Sequence, residues 1–125
     1  MKNLALVLLA ALLMLACACA SAEILPGGWA PSENPEITEE RQELFDKGMD
    51  LVGVQYVPVA YLGSQIVAGT NHCFLCQATV VYPGAIPYYT LVYLHEALDG
   101  EVTILNIATL DIGALCTYGA LDTVE

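Results

Sequence analysis

The residues of this 125-residue chain whose types could do covalent or metal chemistry are Cys73-x-x-Cys76, the neighbouring His72, and the more distant His95, Ser64 and Cys116. A Cys-x-x-Cys pair carries out thiol exchange when a helix N-terminus lowers one thiol pKa, and holds zinc when two further ligands converge on it. Here the pair lies in residues 72–80, an alternating run typical of a strand. Positions three apart in a strand face opposite sides about 10 Å apart, too far for mutual bridging. One thiol is therefore expected to pack as a small apolar group, and the other to reach Cys116, with Cys73 and Cys76 both open as its partner. His72 and His95 have no carboxylate or nucleophile at a telling spacing, and Ser64 lacks the strand-to-helix turn of a nucleophile elbow. The sequence points away from an enzyme, and calls for no cofactor and no metal.

A different kind of chemistry is written in Gln65-Ile66-Val67-Ala68-Gly69, which continues into Thr70-Asn71 between two apolar alternating segments. Such a run reads as a hairpin tip made of small residues, and a tip of that kind acts by shape. Gly69 supplies the backbone freedom of a tight tip, Val67 and Ala68 offer compact apolar contact, and Gln65 can hydrogen-bond across the hairpin base.

The elements that must position this tip follow from periodicity. Apolar or small residues at Ile37, Leu44, Phe45, Gly48, Leu51 and Val52 recur at helical spacing, Thr38 or Asn34 can cap the start, and Gly53 suits the end. That predicts one amphipathic helix of roughly four turns. Strand patterns occupy residues 55–64, 70–82, 88–96 and 101–112, and residues 24–29 can add a short first strand. Pro58 inside the first of these demands an edge, a gap or a bulge. The predicted fold is α+β, an antiparallel sheet of four to five strands wrapped around one helix. Within the sheet, Phe74, Cys76, Ala78 and Val80 are expected to face the helix, with Cys73, Leu75, Gln77 and Thr79 facing away.

Residues 1–22 read as a secretory leader: Lys2 gives the positive start, residues 4–16 the apolar stretch, and Ala20-Ser21-Ala22 a small-residue cleavage site before Glu23. The mature protein is then extracellular or periplasmic, as one domain over residues 23–112 with a tail, 113–125, of unassigned order. Lipidation at Cys17, in a sequence loosely like a bacterial lipobox, is the alternative that would tether it to a membrane. All 14 acidic residues fall after the leader and face only two cations, Arg41 and Lys47. Such a balance excludes nucleic acid and anionic membrane as natural partners, and favours solubility and a basic protein partner.

The pattern Gln65-x-Val67-x-Gly69 with Asn71 beyond it, together with Leu25-Pro26-Gly27-Gly28 upstream, resembles the cystatins and stefins, inhibitors of papain-like cysteine proteases. The resemblance covers about residues 25–112. It implies the helix-and-sheet fold given above and tight, reversible occlusion of a protease cleft. The Gln65 to Gly69 hairpin would be the wedge, Gly27 or Gly28 would let the trunk turn through the cleft, and Leu25 and Pro26 would occupy substrate pockets. The third contact falls on the turn Ala97-Leu98-Asp99-Gly100, where Leu98 alone matches the apolar requirement and Asp99 adds a charge. A domain-swapped dimer, opened at the Gln65 to Gly69 hairpin, is a further form the resemblance implies. The rival reading is a non-inhibitory binding or adhesion module that uses the tyrosine-rich sheet; a thiol oxidoreductase built on Cys73 and Cys76 is the third.

Overall fold

The computed structural model describes residues 27–119. The segment expected to be a leader, with Cys17, and Leu25 and Pro26 lie outside the described residues, as do residues 120–125. The elements run β1 (Trp29–Pro31), α1 (Glu39–Gly48), β2 (Val54–Val67), β3 (Gly69–Val80), β4 (Tyr88–Glu96), β5 (Val102–Thr109) and α2 (Ile112–Leu115). The strands form one open antiparallel sheet in the order β1-β2-β3-β4-β5, so every neighbour in space is a neighbour in sequence. With the short helix against one face, this is an α+β arrangement of five strands.

Alternation sorts the side chains between two faces. Phe74, Cys76 and Ala78 of β3 and Val92 and Leu94 of β4 are buried on the face that meets α1, joined there by Phe45 of the helix and Tyr61 of β2. Phe74 sits at the centre, with the Phe45 and Tyr61 rings each 5.2 Å away and edge-on to it. Thr90, on the same face opposite Cys76, is fully buried with an unpartnered hydroxyl.

The helix begins where the sequence predicts and ends sooner. Thr38 Oγ1 accepts from the Arg41 amide, and Glu39 and Glu40 lie in the first turn. Asn34 instead makes a turn before the helix, its Oδ1 accepting from the Glu36 amide. The expected four turns shrink to ten residues, because Met49 leaves helical geometry and Val52 is fully exposed. The last helical residue, Gly48, lies hard against the sheet: a Cβ there would lie 2.9 Å from Val102 Cγ1 and 3.1 Å from Leu94 Cδ2. The helix touches the sheet closely at this glycine, and the chain turns away directly after it. Gly53, expected to end the helix, has φ +96° and opens the approach to β2.

Arg41 closes the opposite end of the helix. Its Nη1 donates to the carbonyls of Asn34 and Glu36, both at 2.6 Å, and its guanidinium lies 4.1 Å over the Tyr61 ring. Pro58 is accommodated by an irregularity at Val59, and a second at Leu62 gives β2 two residues without partners in β3. The last strand ends at Thr109, short of the expected Ile112. Asp111 then caps the four-residue helix α2, so residues 113–115 of the expected tail are ordered as helix.

The cysteines correct a sequence expectation. All three are free thiols, and no bridge joins Cys116 to Cys73 or Cys76. Cys76 is sealed in the core, Cys73 is covered on the opposite face, and Cys116 is exposed beyond the edge strand β5. Burial pushes the Cys73 thiol up, against a smaller opposing effect of a hydrogen bond with Tyr93, and pushes Cys76 up to about 12. Since the thiolate is the reactive form, native protein beginning at Glu23 is expected to take up one alkylating group at pH 8, on Cys116, and three after denaturation. Mass spectrometry of the intact protein checks this; rapid native labelling of Cys76 would contradict the burial. The Cys76 contribution to stability has a matching sign: it is complete below the ordinary thiol value of 9.0 and is lost as pH climbs toward 12.

Candidate functional site

The β2–β3 turn, the β4–β5 turn and the start of β1 all lie at one end of the sheet. Val67 pairs with Gly69 across Ala68, Thr70 pairs with Glu96, and Gly27 donates its amide to the Ile66 carbonyl at 3.2 Å. Three apices thus stand side by side: Gly27-Gly28, the Ile66-Val67-Ala68 tip, and Leu98.

Ile66, Val67 and Ala68 are exposed, and Leu98 is 88% exposed at the second tip. The second turn is held by two backbone bonds, from the Ala97 amide to the Glu101 carbonyl and from the Gly100 amide to the Ala97 carbonyl. The Asp99 carboxylate is turned to accept from the Glu101 amide at 3.0 Å.

Gly69 differs from the other tip residues in being buried. Its φ is +92°, and a Cβ would overlap the Glu96 carbonyl oxygen and come within 3.1 Å of His95 Cε1. The glycine is required by the sheet behind the tip, where two strand ends meet too closely for a side chain.

Side chains tie the apices together. Gln65 Nε2 donates to the Gly27 carbonyl at 2.8 Å, Gln65 Oε1 accepts from Asn71 Nδ2 at 2.8 Å, and Asn71 Oδ1 lies 2.7 Å from His95 Nδ1. Trp29 follows on β1 opposite Gln65, with its ring edge-on to Tyr93 at 5.7 Å. Behind these rings, Trp29, Leu62, Gly63, Cys73 and Tyr93 line an apolar cleft of about 260 Å³.

The helix-side face holds a second polar cluster that sequence spacing missed. Tyr61 Oη lies 2.6 Å from His72 Nδ1, and His72 Nε2 lies 3.2 Å from Glu96 Oε1. His72 therefore has the carboxylate partner that its place in the sequence does not suggest, 24 residues away on β4. With Glu40, Arg41 and Leu44 these side chains line a cavity of about 210 Å³. Desolvation holds the Tyr61 phenol above its ordinary value despite the nearby Arg41, so it stays protonated and can donate to the imidazole. The cluster can order one imidazole between a phenol and a carboxylate. Among the described residues no group of three or more His, Cys, Asp and Glu side chains could hold a metal ion, and no helix is long and apolar enough to cross a membrane.

The five strands carry one Asp, Glu, Lys or Arg side chain, Glu96, and its register puts it on the helix side. The outer face of the sheet is uncharged, in a chain with a formal net charge of −11. No protein-family model, no curated protein and no solved structure matches this chain.

Proposed function

We propose that this protein is a reversible, tight-binding inhibitor of papain-like cysteine proteases, similar to the cystatins and stefins in fold and in mode of action. One observation carries the reading: Gly27, the Ile66-Val67-Ala68 tip and Leu98 stand together at one end of a rigid sheet. A blunt apolar edge of this kind fills a groove without offering a peptide bond in attack geometry. Val67 and Leu98 give the edge its apolar contact, and Gly27-Gly28 leads the chain toward it from β1. The acidic surface speeds encounter with a basic cleft rim. An interface of about 800 Å² per partner is sufficient for such a complex.

The test is titration of papain with protein beginning at Glu23, following hydrolysis of a small peptide substrate. Val67→Asp is the informative variant, because Val67 is exposed whereas Gly69 is needed by the sheet itself. Inhibition is expected from the parent protein, with Val67→Asp weaker by about a hundredfold, the loss typical of a charge placed at an interface centre. Circular dichroism confirms that the variant is folded. A folded parent that leaves papain untouched across the micromolar range would sink the papain reading.

The uncharged outer face favours a second reading, a binding or adhesion module that uses the sheet and its Trp29–Tyr93 cleft. That activity would survive Val67→Asp.

A further inference from the structure

We infer that Asn71 and His95 are positioning residues: through Gln65 they lock the Gly27 trunk onto the sheet in the free protein, so that trunk and hairpin meet a partner already aligned. The functional consequence rests on the inhibitor reading; the lock itself does not.

The hydrogen bonds run in one direction. Gln65 spends its Nε2 donor on the Gly27 carbonyl and its Oε1 acceptor on Asn71 Nδ2. Asn71 therefore presents its Oδ1 to His95, and His95 Nδ1 must carry the proton and donate. Reversing any amide would set donor against donor or acceptor against acceptor. The chain crosses β4, β3 and β2 along one row of cross-strand partners, His95 beside Asn71 and Asn71 beside Gln65, and ends on the trunk. All three lie on the outer face, where the five strands place no Asp, Glu, Lys or Arg side chain.

Among the described residues the trunk is otherwise held by the three-residue pairing of β1 with β2, by the Ser32 amide on the Leu62 carbonyl at 2.8 Å, and by the Gly27 amide on the Ile66 carbonyl at 3.2 Å, longer than the 2.8 Å of the Gln65 contact. His95 does double duty, since its Cε1 also walls the space beside Gly69. One imidazole thus reaches the trunk through two amides and also lines the space beside Gly69. An element held in place before binding loses less freedom on binding, and the gain appears mainly as slower dissociation.

Trp29, the single tryptophan of the chain, reports on the lock. It lies in β1 two residues from Gly27, about half exposed and resting on Tyr93. Acrylamide quenching of its fluorescence should rise about twofold in Asn71→Ala and in His95→Leu, and stay near the parent value in His95→Gln, whose amide can still donate. Circular dichroism and a thermal melt establish that each variant is folded. Residence time on papain should fall roughly tenfold in the first two variants, the size of effect that one lost hydrogen bond gives, and recover in the third. Unchanged quenching in folded Asn71→Ala and His95→Leu overturns the lock. Raised quenching with an unchanged papain off-rate overturns its positioning role and leaves a stitch in the outer face. If the parent protein does not inhibit papain, the inhibitor reading fails, while the quenching series still decides whether these side chains hold the trunk.

Discussion

Gly69→Ala is expected to lower the unfolding free energy by about 3 kcal/mol, far more than the same change at Gly100. The two glycines share a φ of +92°. A side chain at either therefore pays the left-handed backbone cost, about 1–2 kcal/mol. They differ in their surroundings. Nothing lies within 4 Å of a Cβ built at Gly100, whereas at Gly69 it would overlap the Glu96 carbonyl oxygen and crowd Ala97 Cα. Backbone cannot swing aside as a side chain can, so β3 and β4 must part at the hairpin end. Urea unfolding of both variants isolates the packing share as their difference. Equal losses would mean that the strand ends are free to separate and that Gly69 matters for its φ alone. The hairpin tip should also shift, which makes Gly69 a poor probe of the wedge and Val67 a good one.

Phe74→Ala should cost more still, about 3–5 kcal/mol. Phe74 is fully buried at the middle strand and is the ring on which both Phe45 and Tyr61 rest edge-on. Removing it empties the junction between the helix and the sheet, where the fully buried neighbours Cys76, Val92 and Leu94 are fixed to strands. A domain of this size is stable by about 5–15 kcal/mol, so the variant sits near the unfolding threshold. Its melting temperature should fall by on the order of 15 °C or more. Phe74→Leu should lose less than half as much. A melting point within a few degrees of the parent for Phe74→Ala would show that the helix is not held through this ring.

Much of this architecture is legible in local pattern. The alternation of residues 72–80 correctly turns Phe74, Cys76 and Ala78 toward the helix, and the strand at residues 88–96 has the predicted bounds, because both signals depend only on near neighbours. The end of the helix is not legible. Leu51 and Val52 continue the apolar period, yet the helix ends at Gly48 and both side chains are exposed. Two of the site's hydrogen-bond clusters lie equally beyond reach. Tyr61, His72 and Glu96 come together from three strands, and Gln65 meets Gly27 across 38 positions. The motif Gln65 to Gly69 marks where the tip is. It does not reveal that Gly69 serves the strands behind it, or that Asn71 and His95 complete the row that ends on the trunk.

The two irregularities in β2 have a consequence for how this chain can change length. Each inserts one unpaired residue, at Val59 and at Leu62, and each reverses the phase of the strand beyond it. Tyr56 and Pro58 face the helix, Tyr61 faces it from the next odd position, and Ser64 and Ile66 return to even ones. Deleting one of the unpaired residues would close its bulge while every paired residue of β2 keeps its β3 partner and its face, Gln65 outward and Ile66 toward the helix. Deleting a paired residue instead would roll the distal strand by half a turn and send Gln65 into the helix side. Val59 and Leu62 are therefore the positions at which β2 can lose a residue and keep the row that ends on the trunk.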